Sequence, residues 1–258
     1  MDFSNIILEK SERIATITLD RPNALNSLSS ALLAELEKAL IEVEQDDEID
    51  VLIVTAAGDK AFCAGMDLRD FEAGNTDLSF TKRVLDKLED LSKPTIAAIT
   101  DGYCITGGLE FALSCDILVA SDKAVFGDTH SRINVSGGGA TARMPRLIGL
   151  MQAKYLIFTS QFIDAEQAKE MGLVIDVFPS AELLEGARGI ATKMLEQDQK
   201  ILRKMKELLN RGWRTDLYGA WCLEEAECRR GMEAQMASGF KMDDAVGQAR
   251  SDAGAGDQ

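Results

Sequence analysis

The chain has 258 residues, 46% of them hydrophobic and 28% charged, with 43 acidic against 28 basic side chains and a net charge of −15. A chain this long buries enough surface to hold a core without disulfides or metal, and its negative field repels nucleic acid and anionic membrane surfaces. Five cysteines without a CxxC pair and a single histidine leave no zinc set. The cysteines are read as reduced thiols. No apolar run is long enough to span a bilayer. The start MDFSNIILEK lacks the basic residues and long apolar core of a secretory leader, so the expected compartment is the cytoplasm.

Residues 5–10 and 14–19 are β-rich runs parted by Ser11, Glu12 and Arg13, which predicts an antiparallel pair. DRPNALN (20–26) follows as a loop, because Pro22 cannot donate to a ladder and Asn23 favours a turn. Residues 29–44 place Leu32, Leu33, Leu36, Leu40 and Val43 at helical spacing. VLIVTA (51–56) is the continuous apolar run of a strand covered on both faces. A second helix is predicted over 81–91, ended by Lys93-Pro94. A buried strand follows over 95–100, a helix after a glycine turn over 109–113, and strands over 115–120 and 124–127. Beyond Gly139 the chain reads as helical at 151–160, 164–171, 181–197, 200–211 and 217–236, interrupted by a strand at 173–178. The tail SDAGAGDQ reads as disordered. The pattern is α/β: a core over residues 1–195 and a helical C-terminal region over 196–258, with no Gly-, Ser- or Pro-rich linker between them.

Two segments carry glycine where the chain turns after a buried strand: AFCAGMDL (61–68) and GYCITGGLEFALSCD (102–116). Glycine lets backbone approach a ligand closely. The N–H groups of a first helical turn have no partner inside the helix and lie at the positive end of its dipole. Two such turns that converge can offer two N–H groups to one oxygen, an oxyanion hole.

These segments stand with DRPNALN (20–26), FCAGMDL (62–68), KPTIAAITDGYCITGGLEFALSCD (93–116), KAVFG (123–127), GGGATARMPRLIG (137–149) and AEQAKEMGLV (165–174). As a set, over about residues 3–195, the sequence resembles the crotonase superfamily, the enoyl-CoA hydratase/isomerase family. The resemblance implies a crotonase-like ββα superhelix, with trailing helices that build a homotrimer or a dimer of trimers. It implies an acyl-CoA substrate whose coenzyme A is part of the substrate, with no separate cofactor; the net charge and the lack of a long apolar run lead to the expectation of neither nucleic acid nor membrane as partner. The resemblance puts the two oxyanion N–H donors on Met66 and Gly107, with Gly108 as the alternative for the second. It points to Ala24, Ala64, Asp67 and Leu68 as coenzyme A contacts. Arg21, Lys60 and Arg69 lie beside the same loops and are candidates for the phosphates. Two positions depart from the family pattern. Thr106 stands where a third glycine is common, which is tolerable only with an ordinary backbone angle, and Ser136 replaces a common proline.

Hydration of an enoyl-CoA needs one group to take a proton from water and one to deliver a proton to Cα. The resemblance assigns the first of two glutamates to Glu110, in GGLEFA. The second position is occupied by His130, in FGDTHSR, the only histidine of the chain. An imidazole is a competent acid–base group near neutrality, and beside Glu110 its charged form is favoured. His130 can also be read as a loop residue that bonds Asp128. An enoyl-CoA hydratase follows if both groups act. Glu110 alone suits an enoyl-CoA isomerase, and other reactions of the scaffold stay open, as does a non-catalytic acyl-CoA or RNA-binding member.

Overall fold

The structure, a computed structural model, describes residues 3–135 and 137–238. Ser136 and the SDAGAGDQ tail lie outside the described residues. The chain divides into two compact units, with the boundary between Lys206 and Glu207. In chain order the first unit contains β1 (Ile6–Ser11), β2 (Ile14–Leu19), α1 (Ser30–Gln45), β3 (Val51–Ala56), β4 (Ala61–Cys63), α2 (Leu68–Glu72) and α3 (Leu78–Glu89). There follow β5 (Thr95–Ile99), β6 (Gly102–Ile105), α4 (Gly107–Ala112), β7 (Ile117–Ser121), β8 (Ala124–Gly127), α5 (Ala140–Leu147) and α6 (Leu150–Thr159). β9 (Ile163–Asp164), α7 (Ala165–Glu170), β10 (Asp176–Phe178) and α8 (Leu183–Leu195) complete it. Helix α9 (Gln199–Trp213) runs through the boundary, and α10 (Leu217–Ser238) lies in the second unit. Arg203 pairs with Asp50 at 2.7 Å and Lys206 with Asp116 at 2.8 Å, tying the first turns of α9 to the residues just before β3 and β7.

Six strands form one sheet in the order β1-β2-β3-β5-β7-β10. Its first pair is antiparallel and the others are parallel. The run VLIVTA is apolar throughout because both faces of β3 are covered. Leu52, Val54 and Ala56 enter the cluster built with Leu32, Leu36 and Leu40 of α1 and Val84 and Leu88 of α3. Val51 and Ile53 face the other way, into a cluster with Leu183, Ala187 and Ala191 of α8. Each large side chain fully buried in this way contributes about 1.5–3 kcal/mol. Helix α1 starts where the sequence predicts, because the Ser29 hydroxyl accepts from Leu32 N at 3.2 Å and satisfies an end donor.

Four strands form a second, smaller sheet in the order β4-β6-β8-β9. In each crossover a strand of the large sheet is followed at once by a strand of the small one: β3 by β4, β5 by β6, β7 by β8. Strands β4, β6 and β8 are mutually parallel, so their C-terminal ends share one edge, the place where open parallel sheets carry their sites.

Several elements differ from the sequence expectation. Helix α3 begins at Leu78 because Asp77 caps it, accepting from Ser79 N and Phe80 N. The strand expected over 173–178 shrinks to β10, since the N–H groups of Leu173 and Val174 turn back to Ala168 O and close the end of α7. Strands β4 and β6 and helix α5 were not expected as elements. The strands are only three and four residues long, and α5 carries Pro145 within it.

Candidate active site

The ends of β4 and β6 bring two N–H groups together. Leu28 and Met66 form a parallel bridge in which Leu28 makes both bonds: its N–H donates to Gly65 O at 2.7 Å and its carbonyl accepts from Asp67 N at 3.2 Å. The N–H of Met66 therefore turns to the opposite side, toward α4. Gly107 is the first residue of α4, so its N–H has no acceptor within the helix. A Cβ on Gly107 would lie 3.4 Å from Met66 N, and one on Gly65 would lie 3.1 Å from Gly107 N. The approach depends on Gly108, where a Cβ would sit 2.0 Å from Cys63 O. Two N–H groups side by side at a helix N-terminus can stabilise an oxygen that gains negative charge.

Glu110 lies in the first turn of the same helix and is 5% exposed. Its Oε1 accepts from Gly138 N at 2.6 Å and Ala140 N at 2.9 Å. The carboxylate thus caps α5 while its other oxygen stays open, and a Cβ on Gly138 would come within 3.0 Å of that Oε2. His130 comes from the loop after β8. Its Nδ1 lies 3.0 and 3.1 Å from the two oxygens of Asp128, which is 1% exposed, and its backbone N–H donates to Asp128 Oδ1 at 3.0 Å. A carboxylate only accepts, so Nδ1 carries the proton and Nε2 is the nitrogen left for other work. The hydrogen bond that His130 donates to Asp128 raises the His130 pKa above its ordinary value. Burial opposes this, and the charges of Asp128 and Glu110 add to it. The two side chains border one space: a Cβ on Gly137 would lie 3.7 Å from Glu110 Oε1 and 3.7 Å from His130 Nδ1. The turn FGDTHSR therefore does face Glu110, and it also makes the Asp128 bond of the alternative reading. Glu110 and His130 thus come from the starts of two neighbouring segments, α4 and the loop after β8.

The loop DRPNALN is joined to the segment 64–68. Ala64 N donates to Leu25 O at 3.1 Å, which brings Ala24 and Ala64 to neighbouring positions. Asn26, a residue not singled out from sequence, is fully buried and donates to Ala57 O and Ala61 O at 2.9 and 2.8 Å. Arg21 is held by Asp67 at 2.9 Å and by Ser27 O at 2.6 Å. Asp67 is 6% exposed and also accepts from Ser27 Oγ and Arg69 N. Burial works to raise its carboxyl pKa. The Arg21 hydrogen bond, the N–H groups of Arg69 and Asp70 and the Arg21 charge outweigh burial and hold it below the usual range. Leu68, Lys60 and Arg69 are exposed beside these loops.

Thr106 overturns the expectation of an ordinary backbone angle. It has φ +55° and ψ −122°, a region that favours glycine. A β-branched residue there is strained by about 1–3 kcal/mol. The thiols of Cys63, Cys104 and Cys115 are buried and act as small apolar groups, the first and last pushed up to about 12 by burial. Among the described residues no three His, Cys, Asp or Glu side chains are placed to hold a metal, and no helix is long and apolar enough to cross a membrane.

The fold of paired strands and helices brings Glu110 and His130 to one space near the ends of β6 and β8. The sequence profile of the enoyl-CoA hydratase/isomerase family matches residues 9–232. The short-chain-enoyl-CoA hydratase of Clostridium acetobutylicum is 39% identical over 230 residues, covering 87% of this chain and 88% of that protein. The crotonyl-CoA hydratase of Syntrophomonas wolfei is 36% identical over 236 residues, covering 87% and 88%. The crystal structure of an enoyl-CoA hydratase from Bacillus anthracis superposes with a TM-score of 0.82 at 37% identity, covering 86% of this chain and 89% of that one. The chain belongs to the enoyl-CoA hydratase/isomerase family, of the crotonase superfamily.

Proposed function

We propose that the protein is an enoyl-CoA hydratase, converting a 2-enoyl-CoA to the 3-hydroxyacyl-CoA, with Glu110 as base and His130 as acid. The observation that carries this is that Glu110 Oε1 and the Asp128-bound His130 Nδ1 each lie 3.7 Å from the Cβ position of Gly137, with Glu110 on the helix that Gly107 begins. Glu110 takes a proton from water as the water oxygen bonds to Cβ. The π electrons move to the thioester carbonyl, whose oxygen is stabilised by the two N–H groups; losing one such donor typically costs about 3 kcal/mol. The enolate then collapses and Cα takes a proton from the His130 imidazolium. The proton left on Glu110 returns through solvent to the imidazole. No group outside the chain and its substrate is needed.

Coenzyme A runs over the joined loops at Ala24, Ala64, Asp67 and Leu68. Asp67 shapes that surface through Arg21 rather than through a free carboxylate. Because Arg21 is occupied there, the exposed Lys60 and Arg69 are better suited to the phosphates. The helical region 196–258 supplies the contacts of a homotrimer or dimer of trimers, and the free thiols suit a reducing cytoplasm.

The test is to incubate the protein with short and medium 2-enoyl-CoAs and follow loss of the conjugated thioester absorbance. No loss at any chain length overturns the proposal. A gain of that absorbance from 3-enoyl-CoAs, without loss from 2-enoyl-CoAs, assigns isomerisation by Glu110 alone, the reading favoured by a histidine in the second glutamate's place.

A further inference from the structure

Thr106 presents a conflict. Glycine meets a φ of +55° and ψ of −122° without strain, so the local backbone would be better served by the residue that is absent. What threonine adds is a hydroxyl. Its Oγ1 lies 2.6 Å from Thr129 Oγ1 and accepts from Thr129 N at 3.3 Å. Its backbone N–H donates to Gly127 O at 3.0 Å. Thr106 is 8% exposed, so solvent is poorly placed to substitute for these bonds. Three contacts thus join the end of β6 to residues 127–129 at the end of β8, and the next residue is His130.

The peptide between Thr106 and Gly107 gives this joint its significance. The C=O and N–H of a trans peptide point in opposite directions. The carbonyl of Thr106 accepts from Glu110 N at 3.0 Å, so the Gly107 N–H points out of the helix start, on the side of Met66. The ψ angle of Thr106 sets the orientation of that peptide plane. One residue therefore determines how the second N–H donor is aimed, and its hydroxyl holds the loop that presents the acid.

We propose that Thr106 is a positioning residue: its hydroxyl bond to Thr129 ties the peptide that aims the Gly107 N–H to the loop that carries His130, and the strained backbone angle persists because of that tie. The proposal rests on the hydratase reading of the same site. It explains a departure from the glycine pattern that the fold does not require, and it makes donor and acid one preorganised unit rather than two loops that meet.

The experiment compares Thr106→Gly, Thr106→Val and Thr106→Ser in the full chain. Thr106→Gly is expected to melt no lower than the parent while kcat falls about tenfold, a fraction of the 10²–10³ that removal of a whole oxyanion donor costs, with KM changed less than about threefold. Thr106→Ser recovers most of the lost kcat. Thr106→Val, which keeps the branch and loses the hydroxyl, moves the ring signals of His130, the only histidine to be observed. A further readout is independent of turnover. Bound cinnamoyl-CoA absorbs further to the red as hydrogen bonds polarise its carbonyl, and this shift shrinks in Thr106→Gly. A Thr106→Gly protein with kcat within about twofold of the parent overturns the proposal. So do parallel losses of melting temperature and kcat that serine does not restore. If the parent hydrates no 2-enoyl-CoA, the hydratase reading has failed. The cinnamoyl shift and the His130 signals then decide on Thr106 by themselves, and no change in either refutes its role.

Discussion

The Asp128–His130 pair gives a prediction that the single histidine makes unusually clean to test. In Asp128→Asn the amide oxygen still accepts from Nδ1 and from the His130 backbone, but the charge is gone. A hydrogen bond to a charged group contributes about 1.5–3 kcal/mol and a neutral one about 1, so the substitution removes about 0.5–2 kcal/mol while the ring is charged. For a domain of this size that lowers the melting temperature by roughly 1–8 °C. The pH dependence follows from the raised His130 pKa. Its contribution to stability is fully present below the unfolded histidine value near 6.5 and is lost as pH rises through the folded value. The two proteins therefore differ more in melting temperature at pH 6 than at pH 9. In the pH profile of kcat/KM the limb that falls with loss of the imidazolium proton moves to lower pH in the variant. Nitrogen-15 spectra of the ring follow the same titration directly and report whether Nδ1 holds the proton. An unchanged titration midpoint in Asp128→Asn, or a larger melting difference at pH 9 than at pH 6, refutes the reasoning.

Glu110→Gln keeps an oxygen for the Gly138 and Ala140 N–H groups and so keeps the fold, while turnover falls about 10²–10⁴-fold; a folded variant by circular dichroism with more than about a tenth of the parent rate removes Glu110 from the chemistry. Gly108→Ala forces a methyl to within 2.0 Å of Cys63 O and is expected to cost about 1–3 kcal/mol or more through overpacking, read as a lower denaturation midpoint; an unchanged midpoint contradicts the packing of α4 on β4.

Sequence reasoning reached the parts of the fold in which each residue's role repeats locally. The alternation of Leu52 and Val54 against Val51 and Ile53 appears as an unbroken apolar run, and the Ser29 cap and the spacing of α1 lie within one short window. Strands β4 and β6 are too short for any period, and what makes them strands is pairing across some forty residues, Cys63 with Cys104. The site was legible to a similar degree. The glycine turns are legible in their own residues, Glu110 through motif resemblance, and a D-x-H spacing is enough to suggest that His130 bonds Asp128. The capping of α5 by Glu110 joins positions 28 and 30 apart, and no local pattern announces it. The angle at Thr106 ran against the local preference altogether, because a tertiary hydroxyl bond outweighs a backbone propensity.

Strands β4, β6 and β8 end on one edge, and each end carries a different component: Met66 after the first, Gly107 and Glu110 after the second, Asp128 and His130 after the third. The residues that the proposed chemistry uses are consequently supplied by separate strands whose ends are held together by parallel pairing. The turn after β8 is a short loop that can vary in its side chains, while Thr129 within it stays tied to Thr106 at the end of β6. A side chain at position 130 is therefore presented by a frame that its own identity does not build, so the fold tolerates different groups there.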